Sequence, residues 1–193
     1  NSNFINNSAI RPDIDYQYDG YGGAIYVMQH HNITIRNNYF YNNTASYKAG
    51  GIFFQFQTSQ EFDNEMMSID NCTFVNCVSL HYGGALTCGS SSELDTMKDG
   101  DLTIINCKFI KCEAPFGGCI YFQNGAANEQ KFITSCYFES SNGTCIYSQA
   151  YKIEINQTTF INEFDKQLMV IEMDEIEPKP IITLCTFIYN SFN

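Results

Sequence analysis

Ile69-Asp70-Asn71-Cys72-Thr73-Phe74-Val75-Asn76-Cys77, followed after a short connection by Gly83-Gly84-Ala85-Leu86, is the stretch whose reading decides the fold. It joins two motifs that recur along the chain. The first is centred on a phenylalanine, at Phe4, Phe40, Phe74, Phe109, Phe138, Phe160 and Phe187. Five positions before it, wherever the chain reaches, stand Ile35, Ile69, Ile104, Ile133, Ile155 and Ile182. Two positions before it stand Ser2, Asn38, Cys72, Cys107, Cys136, Thr158 and Cys185, and three after it Asn7, Asn43, Cys77, Cys112, Ser141, Glu163 and Asn190. The second motif is a glycine pair running into a short apolar strand: Gly22-Gly23-Ala24-Ile25, Gly50-Gly51-Ile52-Phe53, Gly83-Gly84-Ala85-Leu86 and Gly117-Gly118-Cys119-Ile120. A degenerate copy is Gly143-Thr144-Cys145-Ile146, and near Leu168-Met169-Val170-Ile171 only the strand character survives.

The motifs alternate strictly, yet successive phenylalanines lie 36, 34, 35, 29, 22 and 27 residues apart. The slack sits in one place, between the glycine strand and the next Ile strand, where the chain carries the loops 58–65 and 90–101. Fixed strands with one variable corner suit a solenoid of β-strands, because a loop leaving the edge of a coil disturbs no stacking. The 22-residue circuit from Phe138 to Phe160 is too short for strand-plus-helix crossovers but long enough for three short strands and their bends. Coils stacked at about 4.8 Å would put Phe on Phe and Ile on Ile, burying area that no single coil could bury alone. The sequence therefore predicts an all-β parallel β-helix of six to seven coils, with 1–193 a single segment excised from a longer protein. The glycines are expected at a tight bend, and Asn6, Asn42, Asn76 and Asn162 in a ladder of amides at another.

Composition agrees. Aromatic residues reach 15%, with 16 Phe, 13 Tyr and no Trp, which favours pleated, half-buried surfaces. A net charge of -11 argues against nucleic acid and against attachment to anionic lipid. No stretch approaches the roughly 20 apolar residues of a membrane helix.

The nine cysteines follow the repeat. Cys72, Cys107, Cys136 and Cys185 share one column, Cys77 and Cys112 a second, Cys119 and Cys145 a third, and Cys88 stands alone. One strand spacing would allow disulfides between stacked cysteines, but parallel side chains in a ladder disfavour bridging within it, so Cys72, Cys107 and Cys136 are read as buried thiols. The Cys72/Cys77 and Cys107/Cys112 pairs lack the spacing of structural zinc ligands. Acceptor sequences for N-glycosylation occur at Asn6, Asn32, Asn42, Asn71, Asn142 and Asn156. Asn32, Asn42 and Asn142 are the better candidates, because Asn71 and Asn156 are expected inside strands or bends.

The glycine copies Gly22-Gly23-Ala24-Ile25 and Gly83-Gly84-Ala85-Leu86, with Phe4-Ile5-Asn6-Asn7 and Phe40-Tyr41-Asn42-Asn43, resemble the repeats of polymorphic outer-membrane proteins of obligate intracellular bacteria. They are similar also to large surface proteins of some protists, and the Asn71-Cys72-Thr73-Phe74 coil leans that way. Cys77 and Cys112 replace the final Asn of the bacterial pattern. The resemblance implies a right-handed parallel β-helix of the pectate-lyase-like kind, exposed at the cell surface or secreted, and adhesive. Its partners would be a surface protein or glycan of a host or neighbouring cell. Separately, the open coil ends of an uncapped solenoid are expected to allow self-association.

Enzymatic readings find little support in the residues. Glycoside hydrolysis needs paired carboxylates at a defined separation, but the acidic residues cluster in expected loops, among them Asp13, Asp15, Asp19, Glu61, Asp63, Glu65, Asp174, Glu175 and Glu177. Asp70 is expected on an outward strand position, with little else beside it. His30, His31 and His81 form no triad, and the glycine pairs lack the spacing of a phosphate loop. No cofactor is expected beyond weak calcium binding by the loop from Asp95 to Asp101. Three roles stay open: an adhesive or structural surface module, a polysaccharide-binding or polysaccharide-cleaving protein, and a bare spacer. Exposed tyrosines such as Tyr16, Tyr18 and Tyr21 speak for sugar binding. An aromatic outer strip would strengthen that case, and bare polar walls would favour the spacer.

Overall fold

A computed structural model of the chain describes residues 1–10, 20–28, 32–55, 66–89, 101–123, 130–140, 144–150, 152–162, 168–172 and 179–189. Every strand pairing among them is parallel, and the strands fall into sheets of seven, six, six and three. The seven-stranded sheet runs from Asn3–Ile5 to Thr186–Tyr189 in chain order and carries the phenylalanines. One six-stranded sheet runs from Ile33–Arg36 to Ile181–Thr183 and carries the isoleucines. The other, from Ile25–Met28 to Met169–Ile171, follows the glycines. Ser8–Ala9, Thr44–Ala45 and Val78–Ser79 form the short sheet. Each repeat visits the Ile, Phe and glycine sheets in turn, and each strand pairs with its equivalents in the repeats before and after. The architecture is solenoid-like, and one circuit is termed a coil below.

The register stacks like on like. Phe4, Phe40, Phe74, Phe109, Phe138, Phe160 and Phe187 face one another in turn. Their ring centroids lie 4.5–5.2 Å apart with planes within 2–10° of parallel. Ile35, Ile69, Ile104, Ile133, Ile155 and Ile182 make a second inner column. Inner positions of the middle coils are completely buried, whereas Phe187, on the last described strand of its sheet, is 52% exposed.

Two corners turn the chain without glycine. Between the Ile and Phe strands, Asn37, Asn71, Asn106, Ser135, Gln157 and Leu184 take positive φ, and after the Phe strand Asn6, Asn42, Asn76 and Lys111 do. Asparagine tolerates this left-handed conformation better than most side chains. Its amides link neighbouring coils, Asn71 donating to Asn37 at 2.8 Å and Asn42 to Asn6 at 2.9 Å. Asn162, expected in the same bend, lies instead in the strand Thr159–Asn162. The residue after each left-handed corner turns inward, which places Asn7, Asn43, Cys77 and Cys112 in one column and Cys72, Cys107, Cys136, Thr158 and Cys185 in the other. Lysine at the left-handed Lys111 should cost roughly 1 kcal/mol relative to asparagine. Lys111→Asn is therefore expected to raise the thermal midpoint by about 2–4 °C. An unchanged or lower midpoint would show that this corner holds no such strain.

The glycine bend has a register the sequence pairs alone do not give. Backbone hydrogen bonds set Gly23 on Ala49 and Ala24 on Gly51, so Gly50 is the partner of Gly23. Ala49 (φ 58°) fills the left-handed position that Gly22, Gly83 and Gly117 occupy in the other coils.

Candidate functional site: an aromatic wall on the glycine sheet

Along each glycine strand, alternate residues point into the core and outward. Ile52 and Phe54 join the core cluster, while Phe53 between them does not. Its outward column reads Tyr26, Phe53, Thr87, Tyr121, Tyr147 and Val170 through five register pairs. A second line comes from just before the bend, where isolated bridges align Tyr21, Lys48, Tyr82 and Phe116. The two lines interleave. Tyr21 stacks on Phe53 at 5.1 Å, Tyr26 on Phe53 at 5.4 Å and Tyr82 on Phe116 at 5.4 Å. Tyr82 lies 4.7 Å from Tyr121, and Tyr147 meets Phe116 and Tyr121 at 5.4 and 5.7 Å. Tyr47 joins between Tyr21 and Tyr82, with the exposed His81 against it at 5.3 Å. Tyr47, Phe53 and Tyr121 are buried, whereas Tyr26 is 39% and Phe116 43% exposed. The wall thus has a buried aromatic floor and a partly open rim.

Lys48 lies in this floor, completely buried. Its ammonium donates to Gln123 Oε1 at 2.9 Å and sits 5.4–5.8 Å from the ring centres of Tyr47, Phe53 and Tyr82, within range of cation–π attraction. Gln123 belongs to the coil two beyond that of Lys48. On the glycine strand of the coil between, the facing outward positions are Thr87 and Gly89. A Cβ at Gly89 would lie 2.5 Å from that of Gln123, so glycine there lets the amide fold toward the lysine.

Polar groups edge the same wall. Tyr26 donates its hydroxyl to Gln55, Tyr121 to Gln149 at 2.9 Å, and Gln149 donates to Glu172 at 3.2 Å. Burial, and then the hydrogen bond to Glu172, push the Tyr147 phenol up to about 12. The Tyr147 hydroxyl, with Gln149, holds the Glu172 carboxyl below its ordinary range. A phenol whose folded value is raised stabilises the fold below its unfolded value of 10.0 and loses that contribution as pH climbs toward 12. Urea titrations at pH 8 and pH 11 (roughly either side of the free phenol's value) are expected to show wild type losing more stability than Tyr147→Phe. Equal losses would mean that Tyr147 is not coupled to folding.

Other residues singled out in the sequence fall elsewhere. Asp70 is outward and pairs with Arg36 at 2.9 Å. Glu154 is also outward on the Ile sheet, and Glu139, outward on the Phe sheet, accepts from Tyr137 at 2.8 Å. Outward carboxylates are therefore more numerous than the sequence suggested, but Glu139 and Glu154 lie on different sheets. Asp101, at the end of the expected calcium loop, accepts from the Gln130 amide at 2.8 Å. The rest of that loop, Asn142, His30, His31, Tyr16, Tyr18 and the acidic clusters at 13–19, 61–65 and 174–177 lie outside the described residues. Asn32 and Asn42 are exposed. So is Asn71, which lies in a bend as expected, because its left-handed corner turns the side chain outward. Asn156 is half-buried.

Eight cysteines are buried thiols and Cys185 is partly so. Cys72, Cys107, Cys136 and Cys185 each donate to the carbonyl two residues back and to one in the preceding coil. The Cys107 thiol beside Cys72, with burial, holds Cys72 well above the ordinary thiol range, and Cys136 does the same to Cys107. Such thiols are poor nucleophiles. Among the described residues no three His, Cys, Asp or Glu side chains are grouped so as to hold a metal ion, and no helix is long and apolar enough to cross a membrane. The sequence matches no protein-family model, and no curated protein or solved structure is similar to it.

Proposed function

We propose that the chain is a right-handed parallel β-helix segment of a secreted or cell-surface protein, of the polymorphic outer-membrane protein kind, and that it acts without catalysis as an adhesive module. The observation that carries this reading is the aromatic wall. A bare spacer needs only polar outer faces, whereas this wall gathers eight rings from several coils, two of them more than a third exposed. Rings that end in hydroxyls beside amide groups provide both apolar faces and hydrogen-bonding rims. That combination suits a surface that holds a partner by a few aromatic anchors.

The same wall favours polysaccharide as the ligand over other surface chemistries, since sugar rings offer flat C–H faces edged by hydroxyls. Cleavage gains no support among the described residues, whose carboxylates Asp70, Glu139 and Glu154 are scattered over two sheets and form no acid–base pair. The test is a polysaccharide panel read for binding and for new chain ends together, with wild type and a Tyr26→Ala/Phe116→Ala variant. Binding that falls about tenfold in the variant, the loss of roughly 1.4 kcal/mol, with no new ends, is the expected result. New chain ends would establish an enzyme, and no binding in the panel or to cell surfaces would leave the spacer.

A further inference from the structure

The inner columns place small residues opposite one another across the bend between the Phe and glycine strands, and one coil departs from the pattern. At the inward corner position successive coils carry Asn7, Asn43, Cys77 and Cys112, and at the position following the glycine bend Ala24, Gly51, Ala85 and Cys119. Only the last of these coils has cysteine at both. Its two thiols are completely buried in the same core cluster. The backbone between them doubles back tightly, since a Cβ at Gly118 would lie 3.1 Å from the carbonyl oxygen of Cys112.

A pairing across the circuit differs from one within a ladder. Cys77 and Cys112, or Cys119 and Cys145, are stacked equivalents whose Cα–Cβ bonds run in parallel, an unfavourable approach for a bridge. Cys112 and Cys119 enter the core cluster from different stretches of one circuit, so register does not hold their Cα–Cβ bonds parallel. We propose that Cys112 and Cys119 are joined by a disulfide as the chain folds in an oxidising compartment. Both thiols lose their protons, one Sγ–Sγ bond forms, and the two electrons pass to a disulfide oxidant, which leaves as two thiols. The oxidant must act before the core closes, because neither sulfur is accessible afterwards. Formation in the cell rests on the secreted or surface-exposed reading above; the pairing itself rests on the fold alone.

Refolding the full chain from denaturant with oxidised and reduced glutathione, then blocking free thiols in denaturant without reduction, tests the pairing. Trypsin releases both residues in one peptide, 112–131. That peptide should be unblocked and lighter by two hydrogens, while the remaining seven of the nine cysteines are blocked. Cys119→Ala should refold, since alanine fills the equivalent position at Ala24 and Ala85, and should abolish the lighter peptide. Nine blocked cysteines after oxidative refolding, or a bond from Cys112 to Cys77 instead, would overturn the proposal. The same mapping on protein secreted from eukaryotic cells separates the two claims. A bond formed on refolding but missing from secreted protein would count against passage through an oxidising compartment and leave the pairing standing.

Discussion

Replacing Phe74 by alanine is expected to lower the stability of the chain by about 3–5 kcal/mol, the usual cost of deleting a fully buried aromatic ring. Phe74 has no solvent exposure and lies between two parallel neighbours, 4.5 Å from Phe40 and 5.0 Å from Phe109. Deleting it opens a cavity with rings above and below, and neither neighbour can settle into it without breaking the strand register that holds both. Phe187 is the same residue in the same column with only Phe160 beside it, and it is 52% exposed. Phe187→Ala should cost less than half as much, roughly 1–2 kcal/mol. Urea unfolding of the two variants checks the contrast. Equal losses would mean that stability does not build up by stacking, as a solenoid requires.

Gly84→Ala is expected to be at least as damaging, for a purely steric reason. A Cβ at Gly84 would lie 2.2 Å from the Gly118 carbonyl oxygen and 2.6 Å from the backbone N and O of Glu113. Those atoms belong to the next coil's main chain, so no side-chain rotation relieves the clash. The coils must part locally, which breaks hydrogen bonds such as that from Gly84 to Gly117. The cost should exceed the roughly 1–3 kcal/mol typical of overpacking. Gly118 is the control at the equivalent position one coil on. Its nearest contacts would be 3.1 and 3.2 Å, so Gly118→Ala should be much milder. If hydrogen exchange and melting temperature respond alike to both, the bend is looser than these distances require.

The Phe, Ile and cysteine columns were legible because their offsets fall inside one rigid strand–corner–strand unit that no loop interrupts. The loops change the period, but not the distance from Ile69 to Phe74 or from Phe74 to Cys77. The left-handed corners were harder, since asparagine, serine, glutamine, leucine and lysine all occupy them and only asparagine announces a turn. Ala49 hid the register of the second glycine bend, because two adjacent glycines looked like the first two of the motif. The aromatic wall was least visible. Its rings come from two separate stretches of each coil and from different coils, so only the register brings Tyr82 to Tyr121. Of the tyrosines read as exposed, Tyr21 belongs to the wall. Lys48 carries one clue, that it stands in line with Tyr21, Tyr82 and Phe116. Lys131 gave no clue at all, though it is buried in the inner column between Leu102 and Ile153.

Because the strands run around each coil, the hydrogen bonds between them point along the stack. Tension applied between the two ends would load these bonds one ladder at a time, opening the outermost coil before the next one feels the full force. Each coil that opens would release its 22–36 residues of slack chain while the phenylalanine stack beneath stays closed. Under load such a segment would lengthen in successive small steps, where a molecule built to resist all at once would give way in a single event.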